Sequence, residues 1–149
     1  MRSRSQDKNQ INITMNHFKK TILPILLVGL WINISETIKW ELLIKPIWVE
    51  HYESLNMIFP AELSNNITWM IWGFLYATVI FILSKKFNLI QTSLLSWFSI
   101  FIMMWIIVWN IGILPVKLLW YNVPLSLIET IIAVLICQRL LRNKLSTRA

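Results

Sequence analysis

Glu36 lies within the apolar run 21–40 and Glu129 within the apolar run 118–141. A carboxylate held in hydrocarbon costs roughly 2.5–3.5 kcal/mol at a helix centre, so each needs a proton, a partner or water. Helical spacing shows what shares their faces. Gly29, Asn33, Glu36 and Trp40 follow one another at steps of 4, 3 and 4, and Ser126, Glu129, Thr130 and Ala133 form a matching stripe. Small and polar stripes of this kind face protein rather than lipid, because lipid offers no hydrogen bonds and small residues let helices approach. Tyr76, Thr68 and Asn110, each in another apolar run, are available as partners.

The chemistry this predicts is cation and proton handling. If Glu36 and Glu129 converge, they form a polar pocket open to the outside, with Asn33, Tyr76, Asn110, Ser126 and Thr130 around it and the loop residues Glu50, His51 and Glu53 above. Two neighbouring carboxylates titrate as a pair, which suits proton-coupled binding of a cation. The competing expectation is structural: each carboxyl is protonated, or Glu36 pairs with Lys39 one turn on while Glu129 bonds Asn110.

Other chemistries find few residues to support them. The chain has one cysteine, Cys137, and two histidines, His17 and His51, neither of which falls inside an apolar run. A paired-thiol centre, a bis-histidine haem within the bundle and a buried Ser/His dyad are therefore excluded. Glu50, His51 and Glu53 are read as solvated loop residues rather than metal ligands. Neither a cofactor nor a metal is expected, and no reaction is assigned.

The elements that must carry the carboxylates follow from the distribution of apolar residues. The 149-residue chain is 56% hydrophobic and only 14% charged, with mean hydropathy +0.60, where soluble domains carry about a quarter charged residues. The apolar residues are gathered in four runs, predicted as transmembrane helices at about 21–40, 67–83, 89–113 and 118–141. Twenty residues at about 1.5 Å each span the roughly 30 Å hydrocarbon core. Nothing alternates in polarity as barrel strands would. The expected fold is an all-α integral membrane protein, a four-transmembrane-helix bundle running up-down-up-down, with one larger outer loop at 41–64. A basic stretch at 1–18 is expected to be disordered, and a basic tail follows at 142–149. Met15 stands close enough to the first run to be an alternative start. A cleavable signal peptide is disfavoured by Trp31, Asn33 and Glu36 and by the lack of a small-residue cleavage site.

Net charge is +7, yet the basic residues flank apolar runs instead of lining a polar face, so nucleic acid is not an expected partner; the lipid bilayer is. Lys and Arg in cytoplasmic segments set orientation. Of the 14, Arg2, Arg4, Lys8, Lys19, Lys20, Lys85, Lys86, Arg139, Arg142, Lys144 and Arg148 fall on one side, and Lys39, Lys45 and Lys117 on the other. Both termini are therefore expected in the cytoplasm, in a plasma or bacterial inner membrane. Trp40, Trp48, Trp69, Trp109, Trp120 and Tyr121 fall near the opposite ends as an aromatic belt.

Four short helices with a glutamate in the first resemble the small multidrug-resistance transporters in outline. Here the first loop is longer and Glu36 lies nearer the outer end than that family's central glutamate, so no residue role is carried over. Lys45-Pro46-Ile47-Trp48 with Trp72-Gly73-Phe74-Leu75-Tyr76 resembles the first loop and second helix of the tryptophan-rich sensory proteins, which bind tetrapyrroles and sterols. That family has a fifth helix and further Pro and Trp positions that this chain lacks. The functional expectation is a small carrier or ligand-binding membrane protein, with a non-catalytic accessory subunit or assembly factor of a larger complex as the alternative. A homodimer is compatible with either.

Overall fold

A computed structural model describes residues 18–142. The expected basic stretch before them and most of the tail after them, residues 1–17 and 143–149, lie outside the described residues.

The described residues are helical and contain no strand. Four helices are long and apolar enough to cross a membrane: Lys20–Ser54, Leu63–Ser84, Leu89–Asn110 and Val116–Arg142. They are called the first to fourth helices below. The first packs between the second and the fourth, the third packs against the second and the fourth, and the second and fourth also touch. The first and third helices thus occupy the far corners of a diamond. The first helix runs antiparallel to the second and the fourth, and the third to the fourth, so the second and fourth are parallel: Gly29 meets Phe74 while Asn33 reaches Met70, and Lys39 meets Glu129 while Glu50 meets Lys117. Trp97 bonds Ser126 while Gln138 bonds Phe87. The core holds Val28, Ile32, Tyr76, Ala77, Ile80, Phe101, Trp105 and Val134. Large apolar residues such as Leu30, Ile34, Leu75, Ile82, Ile106 and Ile128 point outward, as they do where lipid is the solvent.

The first helix departs from expectation. It was expected to stop near residue 40 and give way to a loop at 41–64, but it continues to Ser54. Pro46 does not break it, although proline lacks the N–H that an α-helix needs and its ring crowds the carbonyl four residues back. A π-turn over Trp40–Ile44 widens the helix first, with the Lys45 N–H bonding Trp40 O, which relieves that crowding. The helix ends two turns later. Asn56 takes a left-handed φ of 56°, and the N–H groups of Asn56 and Met57 return to Glu53 O and Tyr52 O, closing the last turn as a Schellman cap. Only residues 55–62 then connect to the second helix. Phe59 folds back so that its ring lies 5.2 Å from those of Trp40 and Tyr52. At about 1.5 Å per residue, 35 residues make roughly 50 Å, so a single straight crossing leaves a good part of this helix beyond the hydrocarbon.

The third helix starts at a capping box, Asn88 with Gln91, and ends at Gly112, whose φ of 78° favours glycine. It was expected to run to residue 113 but closes at Asn110. Its middle carries a second π-turn, Phe98–Ile102, with Met103 N–H bonding Phe98 O. Beyond this turn, a crevice of about 330 Å³ opens between it and the start of the fourth helix, lined by Trp105, Trp109, Leu114, Leu119 and other apolar residues.

The first and second helices cross at two glycines. A Cβ on Gly29 would collide with the Phe74 ring, and one on Gly73 would meet the Asn33 side chain at 2.5 Å. The crossing is as close as it is because neither residue has a side chain.

Candidate functional site

The fourth helix presents Asn122, Ser126, Glu129, Thr130, Ala133, Val134 and Cys137 as its buried face. Ordinary helical periodicity selects these positions, and their polarity makes the face a strip of hydrogen-bonding groups inside an apolar bundle. Each of the other three helices sends a donor to it. From the first helix, Trp31 Nε1 donates to Glu129 O at 3.2 Å. From the second, Tyr76 Oη lies 2.6 Å from Thr130 Oγ1. Thr130 already donates to Ser126 O at 2.7 Å, so the tyrosine is the donor of that pair. From the third, Trp97 Nε1 donates to Ser126 Oγ at 2.9 Å.

Lys39 lies at the centre of this arrangement. Its Nζ donates to Glu36 Oε1 at 2.8 Å, one turn back on its own helix, and across the bundle to Glu129 Oε2. The same ammonium stands 5.6 Å from the centroid of the Phe101 ring, within the range of a cation–π contact. The Lys39 side chain is 8% exposed and that of Glu129 2%, against 29% for Glu36. Glu129 Oε1 is buried with no hydrogen-bond partner. Asn122 Oδ1, two turns earlier on the same face, is likewise buried and unpartnered.

Glu36 and Glu129 are therefore brought together, with Lys39 between them instead of open space. Tyr76, Ser126 and Thr130 form the layer beside them. Asn33 is elsewhere: its Nδ2 bonds Gly29 O at 2.8 Å and Met70 O at 3.4 Å at the glycine crossing. Asn110 is exposed at the end of the third helix, and the hydrogen bonds of Glu129 go to Lys39 instead. Glu50, His51 and Glu53 sit on the helical extension. Glu50 is exposed and pairs with Lys117 at 2.7 Å, tying that extension to the start of the fourth helix. Among the described residues no group of three His, Cys, Asp or Glu is placed to hold a metal.

Lys39 was counted among the cations of the outer edge. Its register shows otherwise: it stands seven residues after Ile32 and eleven after Val28, both fully buried, so the helix turns it to the same inward face. The counting of Lys and Arg by side ignores register and so overlooks this signal.

Comparison of the chain with protein-family models, with curated proteins and with solved structures finds no match in any of the three. Any reading of function rests on the cluster itself. Its two carboxylates face one ammonium, and one carboxylate oxygen is left without a donor. Such a cluster has an acceptor, Glu129 Oε1, that a proton can occupy.

Proposed function

We propose that this chain is a small multi-pass carrier or ligand-binding protein of the cell membrane that takes up a cation, coupled to protons, at Glu36, Lys39 and Glu129. The observation that carries this reading is the mismatch in the cluster. A purely structural link would be balanced and fully bonded, since buried charge is tolerated when paired and hydrogen-bonded. Here two carboxylates share one ammonium, and Glu129 Oε1, 2% exposed as a side chain, lacks a donor. An added proton supplies the missing positive charge, and a cation enters by taking the place of the Lys39 ammonium between the two carboxylates. Intramembrane ionisable residues are costly to hold and recur along ion and proton pathways.

Orientation in this reading follows the distribution of Lys and Arg, with the termini cytoplasmic and the cluster nearer the outer surface. A C-terminal fusion to a reporter active only in the cytoplasm tests it, and an inactive, well-expressed fusion reverses it. Transport is tested in proteoliposomes loaded with a pH-sensitive dye. A monovalent cation gradient is expected to drive proton movement in the parent and not in Glu129→Gln or Glu36→Gln. Unchanged proton movement in both variants, or none in the parent, overturns the carrier reading.

One feature favours the accessory-subunit alternative: the crevice beside Trp105 and Trp109 is apolar and opens outward between the third and fourth helices. A stable partner retained through purification in mild detergent would support it.

A further inference from the structure

The geometry points to a primary ammonium as the ligand of the cluster, with Lys39 acting as its tethered internal competitor. This rests on the proposed cation site and names the chemical class of cation. Three observations lead to it. The group now held by Glu36 and Glu129 is itself a primary ammonium, gripped by two carboxylates and set over the Phe101 ring; a carboxylate pair with an aromatic face is a recognition set for a compact cation bearing N–H donors. The two orphaned buried atoms on this face of the fourth helix, Glu129 Oε1 and Asn122 Oδ1, are both acceptors, so what is missing is a donor. Trp31, Tyr76 and Trp97 have already committed their donors to Glu129 O, Thr130 and Ser126, and the tethered Lys39 ammonium meets Glu129 through Oε2 alone although it has three N–H groups, whereas an untethered ammonium can turn its donors to both oxygens.

Lys39 is long enough to be displaced without unfolding the helix, because its ammonium is carried on a flexible four-carbon stem. A ligand ammonium entering between Glu36 and Glu129 would take over the contacts of Nζ, and Lys39 would swing out toward solvent near Glu41, which is exposed and already paired with Lys45 at 3.1 Å. The two states differ in which ammonium is held, so one cation exchanges for another at a site that is never left empty. A quaternary ammonium, which has charge but no N–H, should not compete.

The test uses n-propylammonium, which replaces the part of the Lys39 side chain beyond Cβ, and the protein in phosphatidylcholine nanodiscs. Lys39→Ala is expected to bind propylammonium with half-saturation at a concentration about tenfold or more below the parent, because the parent site is occupied by its own lysine for most of the time. Tetramethylammonium and propanol are expected not to bind either protein, and Lys39→Ala/Glu129→Gln should lose propylammonium binding. Should Lys39→Ala not fold, the parent alone decides: propylammonium is expected to increase acetylation of Lys39 relative to exposed Lys45 in the same sample, a ratio that cancels the reagent consumed by the ligand amine, read by mass spectrometry, as the lysine leaves its carboxylates. A folded Lys39→Ala that ignores propylammonium, equal responses to propylammonium and tetramethylammonium, or Lys39 acetylation in the parent that does not rise overturns the assignment. If the parent still couples proton movement to an inorganic cation in proteoliposomes, the carrier reading stands while this inference fails. Repeating the binding in discs that contain phosphatidylethanolamine separates the two sources of a primary ammonium: competition identifies a lipid headgroup and its absence a free amine.

Discussion

Replacing Lys39 with methionine keeps the length and apolar bulk of the stem while removing the one positive charge that Glu36 and Glu129 share. The loss can be scaled from the geometry. Unit charges about 4 Å apart attract by about 4 kcal/mol at an effective dielectric constant near 20, and part of that is already offset by the desolvation of both ions. Removing one member of a buried pair measures about 3–5 kcal/mol, since the remaining charge is left uncompensated. Glu129, 2% exposed, has no water to turn to, whereas Glu36 at 29% does, so most of the loss comes through Glu129. Neutral hydrogen bonds between membrane helices are worth much less, about 0.6 kcal/mol on average and up to about 1.7. Lys39→Met is therefore expected to destabilise the bundle by about 3–5 kcal/mol at a pH high enough to keep Glu129 ionised, and by less as the pH falls and Glu129 takes up a proton, and Glu36→Gln by about 1 kcal/mol or less. The triple variant Glu36→Gln/Lys39→Met/Glu129→Gln should recover most of the loss, because it leaves no unpaired charge. Equilibrium unfolding in mixed detergent micelles, followed by tryptophan fluorescence, measures all three. A Lys39→Met loss below about 1 kcal/mol, or a triple variant no better than the single one, would refute the idea that a desolvated charge pair holds the first helix to the fourth.

The glycine crossing offers a second prediction: Gly73→Ala places a Cβ against Asn33 and is expected to cost about 1–3 kcal/mol, largely restored by adding Asn33→Ala, with the same unfolding assay as the check. Tyr76→Phe removes the donor to Thr130 but leaves Thr130 bonded to Ser126, so a loss of about 0.6–2 kcal/mol is expected; a larger loss would mean that the tyrosine hydroxyl supports more than this pair. Lys117→Ala breaks the exposed link to Glu50, and no measurable change in thermal stability is expected at physiological salt; a clear drop would show that the helical extension is held mainly by that pair.

The presence of four helices long and apolar enough to cross a membrane was legible in the sequence because length and composition along the chain decide it, which tertiary contacts do not alter. Four apolar runs of sufficient length, bounded by charged residues, leave helical crossings as the economical way to satisfy the backbone. The inward stripe around Ser126, Glu129 and Thr130 was legible for a related reason, since helical register alone places those side chains on one face. What the sequence could not decide is where the first helix ends and what its last turn touches. Pro46 reads locally as a break, and only the π-turn before it keeps the helix intact through Ser54. Nor does proximity along the chain reveal that Lys39 reaches Glu129, 90 residues away. A lysine near the end of an apolar run has two low-cost positions, at the membrane surface or buried against carboxylates. The second becomes available only when the fourth helix, packed against the first, brings Glu129 to meet it.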